Sequence, residues 1–152
     1  MGSQHAVSLT FSRDPSVTSW VQGLGQYAFF VTATKRFDRT TDEAFRGAVK
    51  YFLNRLNRAV FGRQGRKGRR SLASFVSIEH GATGGRLHAH IALGKPRELP
   101  LRESKRIVLQ VLKLVRSFGY CDVRPYRSER HISYLLKSGQ DSIYFEVCNP
   151  EK

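Results

Sequence analysis

A chain of 152 residues has room for one domain with a hydrophobic core and little room for a second, and its 40% hydrophobic and 11% aromatic content is too rich for disorder. Twenty-six Lys and Arg against twelve Asp and Glu leave a formal charge of +14, well beyond the roughly 2 to 8 that solubility needs. Such a surface repels itself unless a polyanion lies against it, which makes nucleic acid the leading partner. Cys121 and Cys148 stand far apart in no ligand spacing, excluding a disulfide framework and a zinc ribbon. No window approaches the roughly 18 to 20 apolar residues of a membrane span, and residues 1–8 lack an apolar signal core, so an intracellular protein with no membrane partner is expected.

Residues 1–26 read as an N-terminal segment, 27–147 as the domain, and 148–152 as a tail. Residues 27–34 (YAFFVTAT) are β-branched and aromatic, predicting a strand. Thr41-Asp42 then introduces a helix over 43–61, with Ala44, Ala48, Tyr51, Phe52, Leu56 and Val60 at helical spacing. Residues 62–70 (GRQGRKGRR) read as a mobile basic loop. Strands over 71–79 and 86–93, joined through Gly81, Gly84 and Gly85, predict an antiparallel hairpin. A helix over 101–118 carries Ile107, Val108, Val111, Leu112 and Val115 on one stripe and stops at Gly119. A short strand over 120–125, a helix over 129–137 and a closing strand over 142–147 complete the chain. The order contains the split β-α-β pattern, so the expected class is α+β: a ferredoxin-like antiparallel sheet with helices on one face and an open face for function.

Strand alternation places side chains on that open face. Leu87, Ala89, Ile91 and Leu93 point one way, while Arg86, His88 and His90 point the other. Val76 and Ile78 leave Ser77 and Glu79 on the histidine side. Phe29, Val31 and Ala33 leave Phe30, Thr32 and Thr34 there. Glu79, His88 and His90 are thus candidates to converge, and two imidazoles with a carboxylate suit Mn²⁺, Mg²⁺ or another divalent ion with positions left for phosphate oxygens. Farther along, helical spacing puts Lys137 beside Tyr134, with His131 one turn the other way. A phenol with an ordinary pKa near 10 is a weak nucleophile until a cation favours its phenolate.

Three motifs occur in order: Phe29-Phe30-Val31-Thr32-Ala33-Thr34, Leu87-His88-Ala89-His90 and Tyr134-Leu135-Leu136-Lys137. In this the chain resembles the HUH endonucleases, specifically the single-tyrosine initiators of rolling-circle replication, over about residues 27–147. The resemblance implies that His88 and His90 bind the divalent metal with Glu79 as third ligand, and that Tyr134 is the nucleophile. It implies that Lys137 steadies the phenolate or the transition state, and that Thr32 and Thr34 lie near the DNA path or the site. The implied product is a 5′-phosphotyrosine link with a free 3′-hydroxyl, formed on single-stranded DNA at a replication origin hairpin. Some relatives carry a carboxylate or amide one turn beyond the tyrosine, where this chain has Ser138; Asp141 and His131 are the candidates for a supporting role. With one tyrosine in the motif, the two-tyrosine phage mechanism is disfavoured. No phosphate-binding loop motif occurs, so unwinding is expected from a separate or host helicase or from a C-terminal region beyond this sequence, and synthesis from a polymerase. Such a protein would work in the cytoplasm of a bacterial or phage-infected cell, or in the nucleus for a eukaryotic virus.

Arg63, Arg66, Lys67, Arg69 and Arg70 are expected to contact phosphates without reading sequence, with Lys35, Arg36 and Arg39 extending the track. Phe30, Tyr126 and Trp20 are candidate platforms for unstacked bases. Two other readings remain open from sequence: a transposase or relaxase of the same class, and a non-catalytic ferredoxin-like nucleic-acid-binding module. The second leaves Glu79 without a role, because a carboxylate repels phosphate unless a cation intervenes.

Overall fold

Thr41 opens the longest helix by accepting a hydrogen bond from the Ala44 amide at 3.1 Å, while Asp42 and Glu43 complement the dipole of the first turn. In the computed structural model, which describes residues 15–81, 85–127, 129–136 and 142–152, the elements follow in order. They are α1 (Pro15–Gly23), β1 (Phe29–Lys35), α2 (Asp42–Phe61), α3 (Arg63–Arg66), β2 (Ser74–His80), β3 (Leu87–Leu93), α4 (Leu101–Leu114), β4 (Phe118–Pro125) and α5 (Glu129–Leu135), then a 3₁₀ turn (Phe145–Val147). The four strands form one antiparallel sheet in the order β2-β3-β1-β4. That order interleaves two β-α-β units, and the class is α+β as the element pattern predicts. No helix among the described residues is long and apolar enough to cross a membrane.

Helices α2 and α4 cover one face of the sheet. Phe45, Val49, Phe52, Leu53 and Leu56 meet Val108, Val111 and Leu112 over the inward residues of the strands. The α2 stripe is rotated from the expected one: Ala44 and Tyr51 are exposed, because Phe45 and Val49 remove more apolar surface from water than an alanine can. Helix α4 ends at Leu114, and Gly119 lies inside β4. Phe118 instead enters the core between Phe45 and Phe52, with ring centroids 5.7 and 6.2 Å away.

The second face is organised in rows across the sheet. Phe75, Ala92 and Phe30 are directly opposite one another and form an apolar row that must be covered. Val21 of helix α1 and Leu24 just after it lie nearby, and the α5 segment supplies Ile132, Leu135 and Leu136. Helix α1 lies in the segment expected to precede the domain, so the packed unit extends beyond 27–147. At the other end of the chain, Asn149 bridges Ser74, and residues 71 and 152 exchange backbone hydrogen bonds. The next rows, Ser77-His90-Thr32 and Glu79-His88-Thr34, are polar, with Ser77 and His90 buried.

The expected closing strand is replaced by single bridges at Ile143 and Asn149 around the 3₁₀ turn. Residues four apart in a strand point to the same face. Ile143 packs into the second core and Val147 into the first, so the backbone must rotate between them.

The basic segment is also not a free loop. Gly62 turns the chain at φ 58°, a conformation that disfavours side chains, and α3 folds back against α2. A Cβ on Gly65 would stand 2.1 Å from the Asn57 carbonyl oxygen, so only glycine permits this approach. Gly65→Ala is expected to destabilise the protein by about 1 to 3 kcal/mol through overpacking, read as a lowered urea midpoint with an unchanged slope.

Candidate active site

The hairpin register places Glu79 opposite His88 and Ser77 opposite His90. On the other side of β3, Thr34 lies opposite His88 and Thr32 opposite His90. Each imidazole is therefore held by a threonine of β1: Thr34 Oγ1 is 3.0 Å from His88 Nδ1 and Thr32 Oγ1 is 3.4 Å from His90 Nδ1. These contacts give Thr32 and Thr34 a role in orienting the histidines. His90 Nε2 stands 3.1 Å from Glu79 Oε1, and the two side chains are only 7% and 11% exposed. With Nε2 donating to Glu79, Nδ1 accepts from the Thr32 hydroxyl. The other tautomer gives Nδ1–H to Thr32 and turns the Nε2 lone pair toward the carboxylate, where a cation satisfies both groups.

The donor set suits a divalent ion. Adjacent ligands of an octahedral ion with bonds of about 2.1 Å stand about 3.0 Å apart, matching the His90–Glu79 separation. His88 lies beside His90, with ring centroids 6.3 Å apart. Its Nε2 side is kept clear by Gly81, where a Cβ would come within 2.8 Å of that nitrogen. Among the described residues no three His, Cys, Asp or Glu side chains are already gathered as a metal centre. The closest pair of potential donors is His90 and Glu79, with His88 beside His90.

Tyr134 stands over this row. Ile132, Leu135 and Leu136 are buried and fix the α5 segment to the sheet, which leaves Tyr134 44% exposed above the histidines. Its ring meets His90 edge-on at 5.2 Å and Phe30 at 6.0 Å. A cavity of about 530 Å³ opens here, lined by Phe30, Thr32, His90, Tyr120, Asp122, Arg124, His131 and Tyr134. Lys137 and Asp141, expected beside the tyrosine, lie outside the described residues, as does Ser138.

The chain has six tyrosines, and the cavity selects two. Tyr27 donates to the Val21 carbonyl at 2.6 Å, and burial raises its pKa well above the ordinary value. Burial and the Glu146 carboxylate also raise Tyr144. Tyr51 lies on the outer side of α2, and Tyr126 packs against Tyr27 and His131. Of Tyr120 and Tyr134, only Tyr134 has a ring contact with a candidate ligand. The thiols do not compete: burial raises Cys121 and pushes Cys148 up to about 11, so thiolate is disfavoured.

His131 reaches the site through Phe30, on which it stacks with centroids 4.6 Å apart, and its Nδ1 accepts from the Arg127 amide at 3.2 Å. Burial, then the Arg127 and Arg124 charges, lowers its pKa below the ordinary 6.5, so the ring is neutral at pH 7. The unfolded chain protonates first as pH falls through about 6.5, so His131 withdraws stability below that pH and is without effect well above it. An NMR titration of the His131 Cε1–H is expected to give a pKa below 6.5 that rises in Arg127→Ala; a value at or above 6.5 in the wild type contradicts the assignment.

Sequence reasoning missed Asp122, Arg124 and Tyr120. The signal was present: Val123 is buried, so alternation along β4 turns its neighbours to the open face, and Asp122 lies opposite Thr32. Lys35 and Arg36 follow Thr34 at the His88 end of the sheet, where Lys35 Nζ donates to the Thr40 carbonyl at 3.0 Å. The segment from Arg63 to Arg70 is not brought to them. It precedes Ser74, which is about 17 Å of strand from Glu79, at the opposite end of the sheet. Trp20 packs against Phe75 and Phe145, away from the cavity.

No protein-family model matches the chain, and neither a curated protein nor a solved structure does. What the fold and site define is an α+β protein with a histidine–carboxylate pair, a second histidine and an overlying tyrosine on a basic chain.

Proposed function

We propose that this chain is a metal-dependent endonuclease of the HUH kind that nicks and rejoins single-stranded DNA through Tyr134 and so initiates rolling-circle replication. One observation carries the reading: the Tyr134 ring rests against His90, the same imidazole whose Nε2 meets Glu79. A nucleophilic tyrosine needs an opening for substrate and neighbouring donors able to hold a phosphate-polarising cation, and Tyr134, 44% exposed beside the His90–Glu79 pair, is placed for both.

His90, Glu79 and His88 would hold a divalent ion, which when bound supplies Lewis-acid polarisation of a phosphate oxygen. The Tyr134 oxygen attacks phosphorus, a tyrosine O–P bond forms, and the bond from phosphorus to the 3′ oxygen breaks. That oxygen takes up a proton and leaves as a 3′-hydroxyl, while the phenol proton passes to solvent. The bond stored on Tyr134 is returned when a 3′-hydroxyl attacks in the reverse direction. Lys137, one turn along the sequence, would offset charge on the phenolate. Phe30, expected as a stacking platform, is buried beneath the His131 ring, so the walls that suit bases already unstacked are Tyr120 and His131, in keeping with a single strand exposed at an origin hairpin. Helicase and polymerase activities would come from separate partners.

The test is incubation with a labelled single-stranded oligonucleotide pool and Mn²⁺ or Mg²⁺, followed by a denaturing gel. An ion-dependent band of DNA bound covalently to protein is the expected outcome. Salt-sensitive binding with no covalent band under any divalent ion would contradict the proposal and leave a binding module.

A further inference from the structure

The basic segment 62–70 and the outer side of α2 build a second anion-binding corner. Arg55, Arg58, Arg66 and Arg70 surround a cavity of about 490 Å³ with Asn54 and Ser71, and no Asp or Glu lines it. Arg58 and Arg66 also border an adjoining hollow with Arg63 and Lys67. Arg70 is fixed by Glu98 at 2.8 Å and by the Phe61 ring, 4.3 Å from its guanidinium carbon. Among the described residues no carboxylate pairs with Arg55, Arg58, Arg63, Arg66 or Lys67. Mutual repulsion of five such charges is tolerated because Gly65 locks α3 onto the α2 backbone, so the corner is shaped before any ligand arrives.

We infer that this corner binds the phosphate backbone of duplex DNA, as a site separate from the sheet cavity. The two surfaces differ in kind. The sheet cavity has five aromatic rings, counting the imidazoles of His90 and His131, and one arginine, Arg124, which is itself paired with Asp122 at 2.6 Å; that composition suits unstacked bases. The corner has clustered guanidinium groups and a single aromatic lining residue, Tyr51, a composition that contacts phosphates and offers little to stack upon. The strand length separating them, about 17 Å, also means that phosphates held here are not those beside Tyr134. A substrate with both a single-stranded part and a duplex arm occupies both. The inference rests on the nucleic-acid reading above but not on the tyrosine chemistry.

The test is fluorescence anisotropy of the full chain with a labelled mixed-sequence duplex of about two helical turns and with a single strand of equal length. Titrations run from about 50 to about 200 mM salt. Arg58→Ala/Arg66→Ala is compared with Lys113→Ala/Arg116→Ala, which removes the same charge from exposed positions in the last turn of α4 and just beyond it. The first pair is expected to weaken duplex binding by about 10-fold or more and to lower the salt slope by about 2, leaving the single strand within about twofold. The control pair is expected to leave the duplex within about twofold. An unchanged duplex Kd, an equal loss in the control pair, or an equal loss for the single strand overturns the inference. Covalent adduct formation on a bare single strand is scored separately in the same variants, so that failure of this site and failure of the nuclease reading are distinguishable.

Discussion

Tyr134→Phe is expected to abolish covalent capture of single-stranded DNA, with residual cleavage lower by on the order of 10³-fold or more, while leaving the fold intact. The substitution removes one oxygen and keeps the ring that packs against His90 and Phe30. Ile132, Leu135 and Leu136, which anchor the segment, are untouched. Single-strand affinity is therefore expected to stay within about twofold, since stacking and phosphate contacts do not use the hydroxyl. Melting temperature and binding are the controls. A variant that loses the adduct and also unfolds would say nothing of the nucleophile, and Leu136→Ala serves as the comparison. There a cavity costing about 2 to 5 kcal/mol lowers stability and adduct yield together.

Mn²⁺ is expected to raise the melting temperature of the wild type and not of Glu79→Gln or His90→Ala. An ion that binds only the folded state at about a hundred times its Kd adds about 2.7 kcal/mol, which for a chain of this size corresponds to roughly 5 to 10 °C. Glu79→Gln keeps a hydrogen-bonding partner for His90 but loses the charge that holds a cation, so its stability in chelator is expected to change far less than its response to Mn²⁺. Thr32→Val should weaken the response by about 10- to 100-fold in ion affinity, because it frees the imidazole that the hydroxyl orients. An equal rise in all four proteins would place the ion elsewhere.

The part of the site legible in the sequence is the part governed by a period of two. His88 and His90 are two apart in a strand whose other residues are uniformly apolar, and the short connection of the hairpin sets Glu79 opposite His88. The same rule applied to β4 would have added Asp122 and Arg124. Helical periodicity likewise located α2, α4 and the anchoring residues around Tyr134. What escaped depended on tertiary demands. Helix α1 has too few apolar residues to declare itself, and its Val21 and the following Leu24 matter because a row of Phe75, Ala92 and Phe30 needs cover. The turn at Phe145–Val147 arises from burying Ile143 and Val147 in different cores. In the basic segment, glycine and arginine suggest mobility, yet the glycine at 65 is there for close backbone approach.

The most direct measurement is to trap the protein–DNA adduct, digest both components and locate the nucleotide by peptide mass spectrometry. The nucleotide mass is expected on the peptide carrying Tyr134. Tyr120, 68% exposed in the same cavity, is the internal rival; a nucleotide found there, or on no tyrosine, would contradict the account.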